Sequence, residues 1–515
     1  MEKFNRGIMR SKQALRNIIA NILLQVIICL SGIILPRIFI GVYGSRVNGL
    51  VTSITQFLAY LGLAEAGVGT ASIVALYKPL AQRDTKEINS VLSATRQYYN
   101  KSGMLFVALV LALTFFYPYM VSQQLDPLLI RSMILVLASS TLVDYFLVGK
   151  YKVLLTANQQ GYIISTIQSV GLLFNVGITL MLIYYGVNVL IVKGVATIIY
   201  ILRFFVIKYY VKKKFGYLDF HEKPNFTALH QRGAALLHQV VGIVVNNTDI
   251  VLLTALLGRG SLLEVSVYSI YNMINAAMAS LLESFSNSLT SGFGELVSKE
   301  EEQALRCSYS NYEYMFFVIL YVATICMGIL LLPFISVYTK GITDANYIRP
   351  VAAILFTANM FLQHIRVPGL TIIAAYGHFK ETKRQAILEA VINLTVSLAL
   401  IARFGMVGVL FGTVCSYAYR STEIMIYNAR KLVKNSGSKT WRRLLVNTPL
   451  AIILIAVGMH LVPQTMTQYT QWIGYAIVTG TVALLIIIGV NYILEPKEAK
   501  MLVTRIKGVL KKSES

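Results

Sequence analysis

The sequence has little of what most soluble enzymes depend on. Only 13% of its 515 residues are charged, and its 4 cysteines are scattered with no C-x-x-C spacing. A disulfide framework or a metal site is therefore not expected. The sequence also has no GxxxxGK[ST], no HExxH and no GxSxG within a catalytic triad, so ATP-driven transport and hydrolase chemistry are not expected. We predict no catalytic residues and no cofactor.

Acidic residues are scarce, because 23 Asp and Glu stand against 46 Lys and Arg and leave a net charge of +23. In a soluble protein this excess would suggest nucleic-acid binding. However, 56% of the residues are hydrophobic, and apolar runs of bilayer-spanning length recur along the whole chain. Positive charge gathers in the cytoplasmic loops of membrane proteins. The composition therefore predicts an all-α integral membrane protein of the cytoplasmic membrane, with no nucleic-acid partner.

Windows of roughly 20 apolar residues predict about fourteen transmembrane helices. Their approximate limits are 17–41, 48–76, 102–122, 128–149, 161–185, 187–207, 233–257, 263–291, 313–338, 349–373, 385–403, 405–428, 444–463 and 472–494. Most Lys and Arg residues fall on alternate connecting segments, which predicts that both termini are cytoplasmic. The mixed-charge segment 78–101 resembles an amphipathic helix, but we interpret it as a solvated connector.

The second half of the chain matches the first at a nearly constant offset of about 218 residues. The matching residues are Glu65 and Glu283, Asn175 and Asn393, Gly194 and Gly412, and Arg203 and Arg420. Since an even number of spans separates the copies, they point the same way across the membrane. We predict a six-helix lobe in residues 1–215, a second in 216–430, and two further helices with a basic cytoplasmic tail in 431–515.

Polar side chains stand inside the eleventh predicted span, where they are costly unless they face a bundle interior or a cavity. Gln385, Glu389, Asn393 and Ser397 recur every four residues, which places them on one helix face. Asn393 is a candidate substrate contact, although a hydrogen-bond seam between helices is the favoured interpretation. Glu389 matches Gly171 in the repeat, so the scaffold alone does not require this carboxylate.

Four arginines inside the apolar runs are candidate substrate ligands. Arg366 lies about midway along the tenth span, two residues before Pro368, whose ring is expected to kink the helix. An arginine keeps its charge, and its planar fork suits phosphate oxygens; a structural ion pair is the alternative. The other three are Arg420 and Arg203, which lie in the inner halves of matching spans, and Arg37, which lies near the outer end of the first span. For these three, the alternative is that the side chain snorkels to the membrane interface.

Four carboxylates are candidates for ion coupling, because a carboxyl group at membrane depth can take up and release a proton. They are Glu389, Glu65, Glu283 and Asp249. For the last three, the alternative role is that of an ion-pair partner for one of the buried arginines.

Three stretches carry a resemblance to a known family. They are residues 37–89, beginning RIFIGVYGSRVNG, residues 267–296, beginning VYSIYNMINAAM, and residues 374–413, beginning AAYGHFKETKRQ. They resemble the Wzx-type polysaccharide flippases, which are similar to the lipid II flippases and to the multidrug and toxin extruders of one superfamily. The resemblance runs from about residue 16 to residue 492.

The resemblance implies export of an undecaprenyl-diphosphate-linked oligosaccharide by alternating access through a cationic cavity. It implies coupling to a proton or sodium gradient, an antiporter mechanism, and work beside glycosyltransferases or a polymerase of the same pathway. Arg37 corresponds loosely to a first-helix arginine of the family's cavity.

Two other functions are weighed against the flippase. A multidrug extruder of the same superfamily would need a cavity of net negative charge for organic cations. A membrane glycan polymerase or ligase would need a substantial outer loop, whereas the predicted outer loops are short. A transporter, not an enzyme, is the prediction.

Overall fold

The structure, a computed structural model, describes residues 2–65, 67–121, 124–229, 242, 247–287, 290–434, 436–496 and 498. The described residues form helices and connecting turns, with no strand among them. The helices are α1 Glu2–Tyr43, α2 Ser45–Leu61, α3 Val68–Gln82, α4 Thr85–Met120, α5 Pro127–Val143, α6 Gly149–Ala157, α7 Gly161–Tyr184, α8 Val189–Lys214, α9 Asn247–Leu256, α10 Ser261–Asn287, α11 Thr290–Ser298, α12 Glu302–Tyr338, α13 Pro350–Ile365, α14 Val367–Tyr376, α15 Lys383–Phe404, α16 Met406–Tyr427, α17 Gly437–Leu461 and α18 Tyr469–Leu494.

Ten helices among the described residues are long and apolar enough to cross a membrane, as expected of a multi-pass membrane protein. The predicted second span is divided between α2 and α3 by a 3₁₀ turn, Gly62–Glu65. Most of the predicted span 233–257 lies outside the described residues. The count of about fourteen spans therefore stays a prediction.

The chain divides into two compact units, Met1–Ser266 and Val267–Ser515. We call them the N-terminal unit and the C-terminal unit. In the N-terminal unit one continuous set of buried apolar side chains extends from Phe39 to Phe215 along the sequence and includes Leu262. The predicted division into six, six and two helices, and the cytoplasmic position of both termini, stay predictions.

The interpretation of residues 78–101 as a solvated connector is wrong. Most of the segment forms the first turns of α4, which begins where the Asp84 carboxylate accepts a hydrogen bond from the Glu87 backbone N–H at 3.0 Å. Ile88, Val91 and Leu92 are buried. Apolar residues at helical spacing pack this part of α4 against its unit despite its charged residues.

A kink was predicted at Pro368, and the structure interrupts the helix two residues earlier, at Arg366. Helix α13 ends at Ile365 and α14 begins at Val367, so Arg366 stands alone between the two helices. A second turn follows at Gly405, whose φ of 54° lies in the left-handed region that favours glycine. This turn folds α16 back along α15, and the two helices pack closely.

Candidate functional site

Four charged side chains of the C-terminal unit meet at the break between α13 and α14. Arg366 comes from the break itself, Glu389 from α15, and Arg420 and Glu423 from α16. We call these four residues the charge cluster. The four-residue spacing on α15 has the predicted effect, since Glu389, Asn393 and Ser397 are all buried.

Glu389 is the carboxylate that both arginines approach. Arg366 Nη1 donates a hydrogen bond to Glu389 Oε1, and Arg420 Nε lies 3.6 Å from Glu389 Oε2. Arg420 Nη1 also donates to Glu423 Oε2. The side chains of Glu389 and Arg420 are each only 6% exposed. Two positive and two negative charges balance, which reduces the cost of holding them away from water.

Arg366 retains donor capacity beyond its ion pair. Its Cζ lies 4.7 Å from the centroid of the Tyr417 ring, a cation–π contact. Its buried Nε has no hydrogen-bond partner among the described residues. Because a guanidinium carries five N–H donors, the cluster can bind a further oxyanion, or exchange Glu389 for one.

Asn393 and Ser397 join α15 to α16. Asn393 Nδ2 donates to Thr413 Oγ1 at 3.0 Å, and Ser397 Oγ donates to the Val409 carbonyl at 3.3 Å. Gly412 permits this approach, because a Cβ there would stand 2.2 Å from Ser397 Oγ. The geometry is that of the hydrogen-bond seam, and a substrate contact for Asn393 stays a prediction.

Of the two candidate arginines of the N-terminal unit, Arg203 forms no ion pair with a carboxylate among the described residues. Arg203 lies over the Tyr200 ring at 4.5 Å, and its Nε has no hydrogen-bond partner among the described residues. Its aliphatic stem packs on Gly171, where a Cβ would come within 2.7 Å of Arg203 Cδ. Arg37 lies on α1 close to Gly41.

The other three candidate carboxylates occupy different surroundings. Glu65, in the 3₁₀ turn after α2, lies near the Tyr99 hydroxyl beside Gly69. Asp249, on α9 of the N-terminal unit, is buried near Tyr60. Glu283 is exposed on α10 of the C-terminal unit and has no ion-pair partner among the described residues. The structure does not place Glu283 in the charge cluster.

Lys193 is a functional candidate that the sequence analysis missed. It lies in the first turns of α8 and lines a cavity of about 400 Å³ in the N-terminal unit. Its Nζ lies 4.2 Å from the centroid of the Phe39 ring. The signal was present in the sequence, because a lysine interrupts the apolar run VLIVKGVATII. Glu423 was missed although it follows Arg420 by three residues, a spacing that places both on one helix face.

A buried ion network in the C-terminal unit was also missed. Arg443 of α17 donates to Glu313 Oε2 of α12 at 2.7 Å and pairs with Glu495 after α18. Thr440 donates to Glu313 at 2.9 Å. These contacts fasten the last two helices to α12. They have no local sequence signal, because the partners are far apart along the chain.

No family model and no curated protein matches the sequence. Solved structures match the fold. A lipid II flippase, MurJ, in an inward closed conformation is similar over 92% of this chain and 98% of its own, with a TM-score of 0.64 and 16% identity. An inward-facing multidrug resistance MATE family transporter of the MOP superfamily is similar over 81% of this chain and 96% of its own, with a TM-score of 0.62 and 15% identity.

A third structure is a MOP superfamily transporter from Pyrococcus furiosus, described as having a binding pocket of reverse polarity. It is similar over 82% of this chain and 96% of its own, with a TM-score of 0.60 and 13% identity. At these identities the likeness is one of fold. The chain therefore has the fold of the MOP superfamily transporters.

Proposed function

We propose that this protein is a Wzx-type flippase, which moves an undecaprenyl-diphosphate-linked oligosaccharide from the inner to the outer leaflet of the cytoplasmic membrane for surface polysaccharide synthesis. The observation that carries the proposal is the sharing of Glu389 by two arginines, the largely buried Arg366 and the buried Arg420. Fold similarity to a lipid II flippase supports it. The two guanidinium groups can exchange the shared Glu389 carboxylate for a diphosphate, because their planar sets of N–H donors match phosphate oxygens.

The charge cluster suggests how substrate binding is coupled to an ion. A diphosphate carries more negative charge than a carboxylate, so it competes with Glu389 for Arg366 and Arg420. Once displaced, Glu389 takes up a proton, or binds sodium together with Glu423, because an unpaired buried carboxylate is costly. When the diphosphate leaves, Glu389 returns to the arginines and releases the ion. An ion gradient would then drive the cycle.

An apolar cavity in the C-terminal unit supports a lipid substrate. It has a volume of about 360 Å³ and lies between α12, α13 and α17. Its lining includes Phe361, Ile452, Ile455 and Met459, and no described residue that lines it is charged. A hydrocarbon chain fits these surroundings, because it loses no hydrogen bonds on leaving the bilayer.

The remaining parts of the proposal concern architecture and partners. The two six-helix lobes are related by the parallel repeat and rock against each other to alternate access. Both termini face the cytoplasm, where glycosyltransferases assemble the lipid-linked glycan, and a polymerase of the same pathway receives it outside.

The proposal is tested by flipping in proteoliposomes that contain an undecaprenyl-diphosphate oligosaccharide, with an imposed proton or sodium gradient. Wild-type protein is expected to expose the glycan to an external glycosidase. Arg366→Gln is expected to lower the initial rate of flipping at least tenfold. Arg366 pairs with one carboxylate and Arg420 with two, so Arg366 is the arginine with more N–H donors left for the diphosphate. Arg403→Gln is the matched control, since Arg403 is an exposed arginine at the end of α15, and its rate should equal that of wild type.

Each of the other outcomes changes a different part of the proposal. Equal flipping by Arg366→Gln and wild type would remove the diphosphate role of the cluster but keep the flippase. A wild-type protein that moves no lipid-linked glycan under either gradient, yet extrudes a cationic dye, would establish the multidrug extruder instead. Lengthening of the glycan without translocation would favour the membrane polymerase.

A further inference from the structure

A group of three basic side chains in the N-terminal unit has no role in the proposed function. The three are Arg96 of α4, Lys150 at the start of α6 and Lys208 of α8. Arg96 and Lys208 both lie close enough to Lys150 to repel its ammonium group. None of the three forms an ion pair with a carboxylate among the described residues. We call these three residues the basic group.

Aromatic rings hold the two lysines of the basic group in place. Lys150 Nζ lies 5.3 Å from the centroid of the Tyr151 ring and 5.1 Å from that of the Phe220 ring. Lys208 Nζ lies 5.6 Å from the centroid of the Phe204 ring. The Tyr151 ring packs on both phenylalanines, with centroid separations of 5.7 Å to Phe220 and 6.3 Å to Phe204. The two ammonium groups therefore flank one set of packed rings.

Residues 215–229 follow α8 and hold Phe220 against α4. Ser93 of α4 donates a hydrogen bond from its hydroxyl to the Phe220 carbonyl at 3.1 Å. Arg96 follows Ser93 by three residues, so the two side chains share one face of α4. Arg96 is therefore directed toward Phe220 and Lys150, in agreement with its electrostatic effect on Lys150.

The carboxylates nearest to these residues along the chain have other partners. Asp144 pairs with Lys152 at 2.9 Å. Asp219 is 60% exposed and accepts a hydrogen bond from the His221 backbone N–H at 2.8 Å. Like charges without a counter-ion repel one another, and Lys150 is partly buried, which raises the cost. A bound anion would remove much of that cost.

Helix α8 has an exposed apolar face that ends beside Lys208. Its members, each more than half exposed, are Leu202, Phe205, Val206 and Tyr209. Such a face on a membrane-length helix is suited to contact with lipid chains. Lys212, Lys213 and Lys214 end the helix, and a tyrosine close to such an end is typical of the headgroup level of a bilayer. The phosphates of phospholipids are therefore the anions nearest to Lys208.

We propose that Arg96, Lys150 and Lys208 bind the phosphate of an anionic phospholipid, such as phosphatidylglycerol, whose acyl chains lie along the exposed face of α8. Ammonium groups and the planar N–H donors of arginine both bind phosphate oxygens. Basic pockets between helices at a membrane surface take up anionic headgroups. The inference goes beyond the proposed function, because this lipid belongs to the bilayer and is not the translocated substrate.

The test is binding of radiolabelled phosphatidylglycerol to the full-length protein, immobilised in a non-ionic detergent. The competitors are unlabelled phosphatidylglycerol, zwitterionic phosphatidylcholine with the same acyl chains, and inorganic phosphate. Unlabelled phosphatidylglycerol is expected to displace the label at a concentration at least fivefold lower than phosphatidylcholine, and millimolar phosphate is expected not to displace it. Displacement by phosphate would show that the site takes free phosphate, and equal displacement by the two lipids would show that it ignores charge. Either result would overturn the proposal.

The double variant Arg96→Gln with Lys150→Gln is expected to weaken phosphatidylglycerol binding at least tenfold. Its matched control is Lys78→Gln with Lys86→Gln, which removes the same charge from exposed positions on α3 and α4 of the same unit. The control should bind as wild type does. Equal losses in the two double variants would mean that the lipid responds only to overall positive charge. That result, or an unchanged affinity in the first variant, would overturn the proposal.

A second measurement needs no variant, so it does not depend on how the variants fold. Acylation of lysines by a small neutral reagent is followed by peptide mass spectrometry, in nanodiscs of phosphatidylglycerol and in nanodiscs of phosphatidylcholine. Phosphatidylglycerol is expected to slow the modification of Lys150 at least threefold relative to that of Lys86. An equal ratio of the two rates in both lipids would overturn the proposal. Because neither measurement involves transport, failure of the flipping assay would leave this result intact.

Discussion

The helix pair α7–α8 and the helix pair α15–α16 occupy matching positions of the predicted repeat, yet they are packed differently. In α15–α16, Asn393 bonds to the neighbouring helix, and Gly412 allows the two helices to touch. In α7–α8, Asn175 lines a cavity, and nothing lies within 4 Å of a Cβ on Gly194. An asparagine and a glycine therefore hold α15 and α16 in close contact, whereas the matching asparagine lines a cavity beside α7 and α8 and the matching glycine faces open space.

The charges of the two pairs differ in the same way. Arg420 has Glu389 and Glu423 beside it, whereas the matching Arg203 packs on Gly171 and a tyrosine ring. The C-terminal unit thus balances its buried arginines with carboxylates. The N-terminal unit holds Arg203 and Lys193 without an ion-pair partner among the described residues. At these matching positions of the predicted repeat, the side chains nearby make the Arg420 site neutral and leave the Arg203 site cationic among the described residues.

The largest effect is expected from removing the carboxylate that distinguishes the two pairs. Glu389→Leu would leave Arg366 and Arg420 buried together without their shared partner. Loss of one partner of a buried ion pair costs about 3–5 kcal/mol. We expect a large drop in the melting temperature of the detergent-solubilised protein, measured by the fluorescence of unfolding.

The double variant Glu389→Leu with Arg366→Met serves as the control for this prediction. It removes one positive charge together with the negative one, so it should recover part of the lost stability. If Glu389→Leu alone unfolds at the wild-type temperature, this carboxylate does not hold the charge cluster together. Glu389 would then not explain the difference between α15–α16 and α7–α8, where Gly171 stands at the matching position.

A smaller effect is expected from neutralising the two matching arginines. Arg420→Gln breaks the bond to Glu423 and weakens the contact with Glu389, for a cost of about 2 kcal/mol. Arg203→Gln breaks no ion pair among the described residues and should leave the melting temperature within experimental error. The two variants are compared in the same thermal unfolding assay. Equal losses of stability would mean that Arg203 also depends on an ion pair.

An effect of similar or smaller size concerns the two matching glycines. Gly412→Ala would force a Cβ to within 2.2 Å of Ser397 Oγ, and overpacking of this kind costs about 1–3 kcal/mol. Gly194→Ala meets open space and should be neutral, or stabilising by up to about 1 kcal/mol through helix propensity. Melting temperatures of the two variants measure the difference. A destabilised Gly194→Ala would show that α7 and α8 close on each other as tightly as α15 and α16.

Much of the fold could be predicted because membrane-spanning helices appear in the sequence as long apolar runs. Long apolar runs identified the ten membrane-length helices, and Pro368 marked the break that isolates Arg366. The four-residue spacing on α15 placed Glu389 and Asn393 on a buried face. These features depend on residues close together along one helix, where geometry is fixed by the helical repeat.

The errors arose where contacts join distant parts of the chain. The polar segment 78–101 looked solvated, because its burial depends on side chains of other helices. The Arg443 network was missed, since nothing near Arg443 in the sequence reveals Glu313 or Glu495. Lys193 was not chosen, because neither a cavity nor the absence of a counter-ion can be deduced from one helix.

The sequence by itself determined an all-helical membrane chain, the position of its broken tenth span and the buried face of α15. Apolar length, proline and helical periodicity act locally, so they can be read without knowing what surrounds them. Tertiary structure alone decided that Arg366 and Arg420 share Glu389, and that Lys193 faces a cavity in which no described lining residue carries a carboxylate. The energy of a buried charge depends on the neighbours that other helices bring to it, and those neighbours are chosen by packing.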